Sequence, residues 1–157
     1  MRTKAQAPTS MTRTRWRWTT PVLRCAAAVQ ALLVVLQAFL AGAALGGSSA
    51  ALALHEQIGT ERVTLVSLVV LVLAVMAWRP GRAPGWPALV ALGAGAALYL
   101  QIESGFSRGL DVHLPLGVAI FGANLAIAIG ARVTRRSGAE PARPRSAEEH
   151  ARGRASA

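Results

Sequence analysis

The sequence predicts an all-α membrane protein, a polytopic four-helix up-down bundle. Hydrophobic residues make up 53% of the 157 residues and charged residues only 15%, which is unlike an ordinary soluble protein. The apolar residues fall into four blocks separated by short polar breaks, and each block is close to the ~20 residues that cross a bilayer as a helix. The basic residues lie almost entirely outside these blocks.

The blocks divide the chain into a basic leader (residues 1–21), a transmembrane domain (22–133) and a polar tail (134–157) that we expect to be disordered. The predicted spans are 22–45, 51–78, 86–102 and 112–131. Trp16 and Trp18, at the end of the leader, suit the headgroup zone. Two alternatives stay open at this end: the leader with small residues at Ala41-Gly-Ala43 also fits a signal peptide, and Met1 and Met11 are both candidate starts.

The boundaries of the later spans follow from turn and capping residues. Gly46-Gly-Ser-Ser49 separates the first two spans, and the Pro- and Gly-rich run 80–87 separates the second from the third. Asp111 is the predicted N-cap of the fourth span, with Pro115 in its first turn.

The distribution of Lys and Arg predicts the orientation. Of the 17 basic residues, fifteen lie in the leader with its membrane edge, the central turn and the tail, and two, Arg62 and Arg108, lie in the other two loops. We expect the protein to lie in the cytoplasmic membrane. Because basic residues favour the cytoplasmic side, we expect both termini to be in the cytoplasm. The one-sided placement of the basic residues relative to the bilayer then accounts for the net charge of +10, and no nucleic acid partner is predicted. The preference for Arg, Ala and Gly is typical of a high-GC bacterial genome.

Two candidate metal ligands occur in a repeated pattern, His-x-x-x-Gly. His55 precedes Gly59 at the start of span two, and His113 precedes Gly117 at the start of span four. Each pair follows a span that contains Leu-Gln, at Leu36-Gln37 and Leu100-Gln101, with a glycine shortly after, at Gly42 and Gly105. This pattern indicates a duplicated two-helix unit.

A duplicated pair brings both histidines to a similar depth, so their imidazoles could face each other. A glycine four residues after a histidine lies on the same helix face one turn deeper, where its missing side chain leaves room for a flat ring. Two neutral imidazoles facing each other suit a porphyrin iron. We therefore predict His55 and His113 as ligands, Gly59 and Gly117 as clearance, and heme b as the cofactor. The competing interpretation is that the histidines are tolerated at helix starts and the glycines serve close packing.

Three further polar residues have weaker predicted roles. Asn124, eleven residues after His113, is expected to make an interhelical hydrogen bond. Arg62, seven residues after His55, is expected on the same helix face, paired with an acid such as Glu61 or Glu103, or with a propionate. Cys25 is the only cysteine, so neither an intrachain disulfide nor a cysteine metal cluster is available.

With these motifs, residues 22–133 resemble one half of heme A synthase, a family whose halves are four-helix bundles with histidines on the second and fourth helices. The chain is also similar to small, uncharacterised four-helix bacterial membrane proteins through Ala-Leu-His55-Glu-Gln-Ile-Gly59 and Val-His113-Leu-Pro-Leu-Gly117. It departs from heme A synthase because no acid occurs at residues 51–54 and the first outer loop has no cysteine pair. The resemblance therefore implies only that His55 and His113 are axial ligands, and the family's oxidative chemistry is not carried over.

The sequence thus favours two functions. One is heme b binding for electron transfer or heme handling. The other is a structural or interaction subunit without cofactor, whose basic tail contacts anionic lipid or a partner protein that the sequence does not identify. A small transporter is third. No hydrolase or phosphate-binding motif occurs, so a non-enzymatic role is favoured.

Overall fold

The computed structural model describes residues 18–79, 83–107 and 109–137, with side chains described as far as Ala131. It confirms the all-α four-helix bundle. The helices are α1 (Thr19–Leu45), α2 (Ser49–Trp78), α3 (Trp86–Phe106) and α4 (Leu110–Ser137). Each is long and apolar enough to cross a membrane. The predicted leader up to residue 17 and the predicted tail from residue 138 lie outside the described residues.

The helix ends agree with the predicted spans to within a few residues, with two exceptions. Helix α3 continues to Phe106 and α4 to Ser137, past their predicted ends at 102 and 131. Helix α4 also begins earlier than predicted, since the Gly109 carbonyl already accepts the N–H groups of Val112 and His113. The prediction of Asp111 as N-cap is therefore wrong: Asp111 lies within the first turn, where its negative charge suits the helix dipole.

The turn between α1 and α2 is built from small residues. Gly47 adopts a φ of 97°, a conformation that is strained for residues with a side chain. Ser48 then caps α2, because its hydroxyl accepts the Ala51 N–H at 3.3 Å. This short connection makes α1 and α2 an antiparallel pair, and the turn between α3 and α4 does the same for the second pair.

Helix α2 is not α-helical throughout. An α-helical start, Ser49–Gln57, leads into a π-helical segment, Ile58–Val63, before the α-helix resumes over Thr64–Trp78. A π segment holds one extra residue relative to an α-helix and often occurs at functional sites. It separates His55 from the main part of its own helix.

The four helices form a square in which α1 and α3 each pack against both α2 and α4. Helices α2 and α4 therefore lie diagonally opposite. Below the histidines lies a small core layer of Val63, Leu98 and Ile120, and a larger cluster, including Leu23, Val70 and Ile127, fills the other half of the bundle. We call the end of the bundle with the α1–α2 and α3–α4 turns the histidine end.

Candidate functional site

The two predicted ligands meet inside the bundle at the histidine end. The imidazoles of His55 on α2 and His113 on α4 have ring centres 6.0 Å apart, with the ring planes tilted by 56°. Both side chains are half-buried. The diagonal arrangement of α2 and α4 makes this possible, because residues on the inner faces of diagonal helices point toward each other across the bundle.

Each histidine contacts the backbone of the helix before it. The Nδ1 atom of His113 lies 2.8 Å from the Gln101 carbonyl oxygen, and Nδ1 of His55 lies 3.1 Å from the Gln37 carbonyl oxygen. Because a carbonyl only accepts, Nδ1 of His113 donates to Gln101, and Nδ1 of His55 donates to Gln37 in the tautomer that carries its proton on Nδ1. The proton on Nδ1 leaves Nε2 with a free lone pair, which is the form of histidine that ligates metals.

The Gln101 carbonyl also accepts the hydroxyl of Ser104, at 3.0 Å. This hydroxyl lies 3.5 Å from Nδ1 of His113, so the imidazole and the serine share one acceptor. The carbonyl oxygen has two lone pairs and accepts both groups.

Around His55 the Gln37 side chain allows two hydrogen-bond arrangements. With the amide oxygen toward the ring, Nδ1 of His55 is a donor and Nε2 is free. With the amide reversed, its nitrogen lies 2.6 Å from Nδ1 and 3.0 Å from the His55 carbonyl oxygen, and its oxygen accepts the Gly59 N–H at 3.1 Å. The reversed arrangement protonates Nε2 instead. Ligation of a metal through Nε2 of His55 requires the proton on Nδ1 and therefore the first arrangement, in which the amide oxygen faces the His55 carbonyl oxygen and the amide nitrogen faces the Gly59 N–H.

The glycines of the repeated motif contact glutamine side chains. A Cβ placed on Gly59 would lie 3.5 Å from Oε1 of Gln37, and one on Gly117 would lie 3.2 Å from Nε2 of Gln101. The glycine that gives a histidine its clearance is Gly105, where a Cβ would come within 3.0 Å of the His113 ring. In the sequence, Gly105 stands out only as the glycine that follows Leu100-Gln101 in the repeat.

A cleft of about 530 Å³ opens beside the two histidines. Its walls come mainly from α1 and α4 and are mostly apolar, with four polar side chains. The lining residues are Val34, Val35, Gln37, Ala38, Phe39, Ala41, His55, Gln101, His113, Leu114, Gly117, Val118 and Phe121. Phe39 and Val118 are 74% and 72% exposed, so the cleft opens on the surface between α1 and α4. Gln101 contributes a buried Oε1 atom without a hydrogen-bond partner, which is an acceptor available to a bound molecule.

One of the weaker predictions is wrong, and another is confirmed only in part. Asn124 is buried, but its amide donates to the Ile120 carbonyl of its own helix at 2.8 Å, so the bond is not interhelical. Arg62 does not share the face of His55, because Arg62 itself lies within the π segment, which changes the register of α2 after His55. Its side chain is 65% exposed and its Nε lies 4.0 Å from Glu61, a surface pair that contributes little stability. Pairing with Glu61 itself agrees with the prediction.

The site repeats in both helix pairs. In each pair a glutamine carbonyl of the first helix contacts the histidine of the second, and the glycine four residues later packs on the side chain of the same glutamine. Among the described residues, no group of three or more His, Cys, Asp or Glu could hold a metal ion. No family model, curated protein or solved structure matches this chain.

Proposed function

We propose that the protein binds heme b in the cleft at the histidine end, with His55 and His113 as the two axial ligands, and that it serves electron transfer or heme handling. The observation that carries this proposal is the ring pair. Two half-buried imidazoles with centres 6.0 Å apart come from diagonal helices, each tied to a backbone carbonyl through Nδ1.

The spacing of the rings suits a shared metal. A metal–nitrogen bond is about 2 Å long and the nitrogen lies roughly 1 Å from the centre of its ring, so two imidazoles on opposite sides of one metal have centres about 6 Å apart. The Nδ1–carbonyl contacts are the usual outer-shell partners of ligating histidines, because they fix the ring and make Nε2 more basic.

The surroundings suit a porphyrin. The cleft volume of about 530 Å³ lies within the range of ~300–1,000 Å³ for sites that take small molecules and cofactors, and its walls of Val, Leu and Phe are apolar. Since the protein offers two ligands, a macrocycle with four nitrogens completes the coordination. When bound, heme supplies one-electron redox chemistry. The chain's own residues bind it, orient the ligands and keep water away.

We also propose the orientation that the basic residues predict, with both termini in the cytoplasm and the histidine end at the outer face of the cytoplasmic membrane. Of the 17 basic residues, only Arg62 and Arg108 belong to the segments of the sequence at the histidine end, which agrees with the positive-inside rule. Labelling of a single cysteine at Glu61 in intact cells with an impermeant maleimide, in a Cys25→Ser background, tests this orientation. Labelling only after cell lysis would overturn it.

Absorption spectroscopy of the detergent-purified protein, oxidised and then reduced with dithionite, tests heme binding. We expect a sharp α-band in the reduced protein that is lost in His55→Ala and in His113→Ala. His150→Ala removes the third histidine of the chain, outside the described residues, and should leave the spectrum unchanged. A folded protein that stays free of heme after expression with excess heme would overturn the proposal and favour the cofactor-free structural or interaction subunit.

A further inference from the structure

The two histidine helices differ by one residue between the histidine and the core layer beneath it. In α4, Ile120 is the buried residue below the site, seven residues after His113. In α2 the corresponding residue is Val63, eight residues after His55, and both belong to the same core layer. The offset persists further along, where buried Val70 and Ala74 correspond to buried Ile127 and Ala131. Helix α2 therefore holds one extra residue between His55 and Val63.

The extra residue matters because an α-helix turns by about 100° per residue. Seven residues return to the same face within about 20°, whereas eight overshoot it by about 80°. If α2 were an uninterrupted α-helix with Val63 in the core, Glu56 would face the interior and His55 would turn away. The π segment Ile58–Val63 absorbs the extra residue. As a result His55 faces His113, and Glu56 is exposed.

A buried glutamine of α1 holds the end of this segment. Gln30 is 0% exposed, and its Nε2 donates to the Val63 carbonyl at 3.1 Å and to the Ser67 hydroxyl at 2.8 Å. The repeat shows that this contact accompanies the extra residue. Gln37 corresponds to Gln101, so Gln30, seven residues earlier, corresponds to Ala94. The pair that lacks the extra residue therefore has alanine in place of this glutamine.

We propose that the π segment, held by Gln30, is a positioning device that turns His55 toward His113. This proposal depends on the proposed function only for the identity of the ligand that the two histidines bind. Gln30 acts through the backbone of α2 and is a positioning residue. A π segment with one extra residue competes with the regular α-helix, and the buried bonds from Gln30 stabilise the π form.

A substitution at Gln30 and a deletion in the π segment together test this device. Both are made in a Cys25→Ser, Glu56→Cys background, where the rate of alkylation of the new thiol reports whether residue 56 faces the interior or the surface. Gln30→Leu should restore the regular helix, turn residue 56 inward, slow its alkylation several-fold and abolish the low-spin heme spectrum. Deleting Thr60, an exposed residue of the segment, gives α2 the seven-residue spacing of α4. Combined with Gln30→Leu, the deletion should restore both fast alkylation and the heme spectrum. Gln57→Leu, at an exposed position of α2, should change neither.

Three results would overturn the inference: alkylation that Gln30→Leu leaves unchanged, a deletion of Thr60 that fails to rescue Gln30→Leu, or slow alkylation with an unaltered heme spectrum. If Gln30→Leu does not fold, one alanine inserted between Ala119 and Ile120 makes the reciprocal test. It gives α4 eight-residue spacing opposite Ala94 and should abolish the heme spectrum, while retained low-spin heme would contradict the device.

Alkylation is measured without heme. If the wild-type protein binds no heme but the Glu56→Cys variants show the predicted alkylation pattern, the proposed function is refuted and the positioning device is supported.

Discussion

The backbone of Gly105 lies directly against the imidazole of His113. A methyl group added at Gly105 would come within 3.0 Å of Cε1 and 3.1 Å of Nδ1 of that ring. Contacts this short require the ring to move by a few tenths of an ångström, and the ring is also fixed by the Gln101 carbonyl 2.8 Å from Nδ1. The space for the His113 ring therefore comes from α3, the helix before it.

We expect Gly105→Ala to displace the His113 ring and weaken its bond to the metal. The purified variant should contain less heme, with part of the remaining heme high-spin in its absorption spectrum. Gly42→Ala is the matched control, because Gly42 follows Gln37 in the first pair and a Cβ there meets nothing within 4 Å. Equal spectra of the two variants would show that Gly105 is not the clearance of a ligand.

The glycines of the repeated motif should differ in their sensitivity to substitution. A Cβ at Gly117 would lie 3.2 Å from the Gln101 amide in the cleft wall, whereas one at Gly59 makes an ordinary contact of 3.5 Å with Gln37. Gly117→Ala should therefore lower heme affinity several-fold in a hemin titration of the heme-free protein, and Gly59→Ala should have a smaller effect. The opposite order would mean that steric contact at the glutamines does not set the shape of the site.

Filling the cleft should exclude heme without altering either ligand. Ala38 lines the cleft on α1, so Ala38→Trp places an indole where the porphyrin is proposed to lie. We expect loss of the reduced α-band with an unchanged helical circular dichroism spectrum. Ala28→Trp, at an exposed position of the same helix outside the cleft, should keep the band. Full heme content in Ala38→Trp would place the cofactor outside this cleft.

The opposite end of the bundle offers a stability test that is independent of heme. A Cβ at Gly130 on α4 would come within 2.5 Å of the Trp86 ring on α3. Gly130→Ala should destabilise the protein by about 1–3 kcal/mol, the usual cost of overpacking, and shift the Trp fluorescence. Gly122→Ala, where a Cβ meets nothing within 4 Å, is the control on the same helix. Thermal unfolding in detergent measures both, and equal midpoints would contradict the packing at Trp86.

The sequence predicts most of this fold because each transmembrane helix corresponds to a long run of apolar residues. A run of about twenty apolar residues identifies a span regardless of packing, so the ends of α1 and α2 lie within three residues of their predicted positions. The end of α3 was missed because Glu103 and Ser104 interrupt the apolar pattern, yet the helix continues to Phe106. Polar residues at a membrane boundary do not by themselves end a helix.

The site could be predicted only in part, because the His-x-x-x-Gly motif gives no information on the register of α2 beyond Gly59. The repeat correctly placed His55 and His113 near each other. The prediction for Arg62 assumed a regular helix, and the π segment turned Arg62 to the surface. The extra residue could have been found in the sequence by aligning the two pairs beyond the histidines, where Val63 and Val70 match Ile120 and Ile127 only after a shift of one. The contact of Gly105 with His113 depends on the packing of α3 and α4, which the sequence pattern does not specify.

The most direct test of the central claim is the low-temperature electron paramagnetic resonance spectrum of the oxidised, purified protein. If His55 and His113 hold one iron, the ferric protein gives a low-spin heme signal typical of two imidazole ligands, at one heme per chain. That signal converts to high-spin or disappears when either histidine is replaced by alanine, and it persists in His150→Ala. A low-spin signal that survives the loss of His55 or of His113, or the absence of any heme signal from folded protein, would contradict the account.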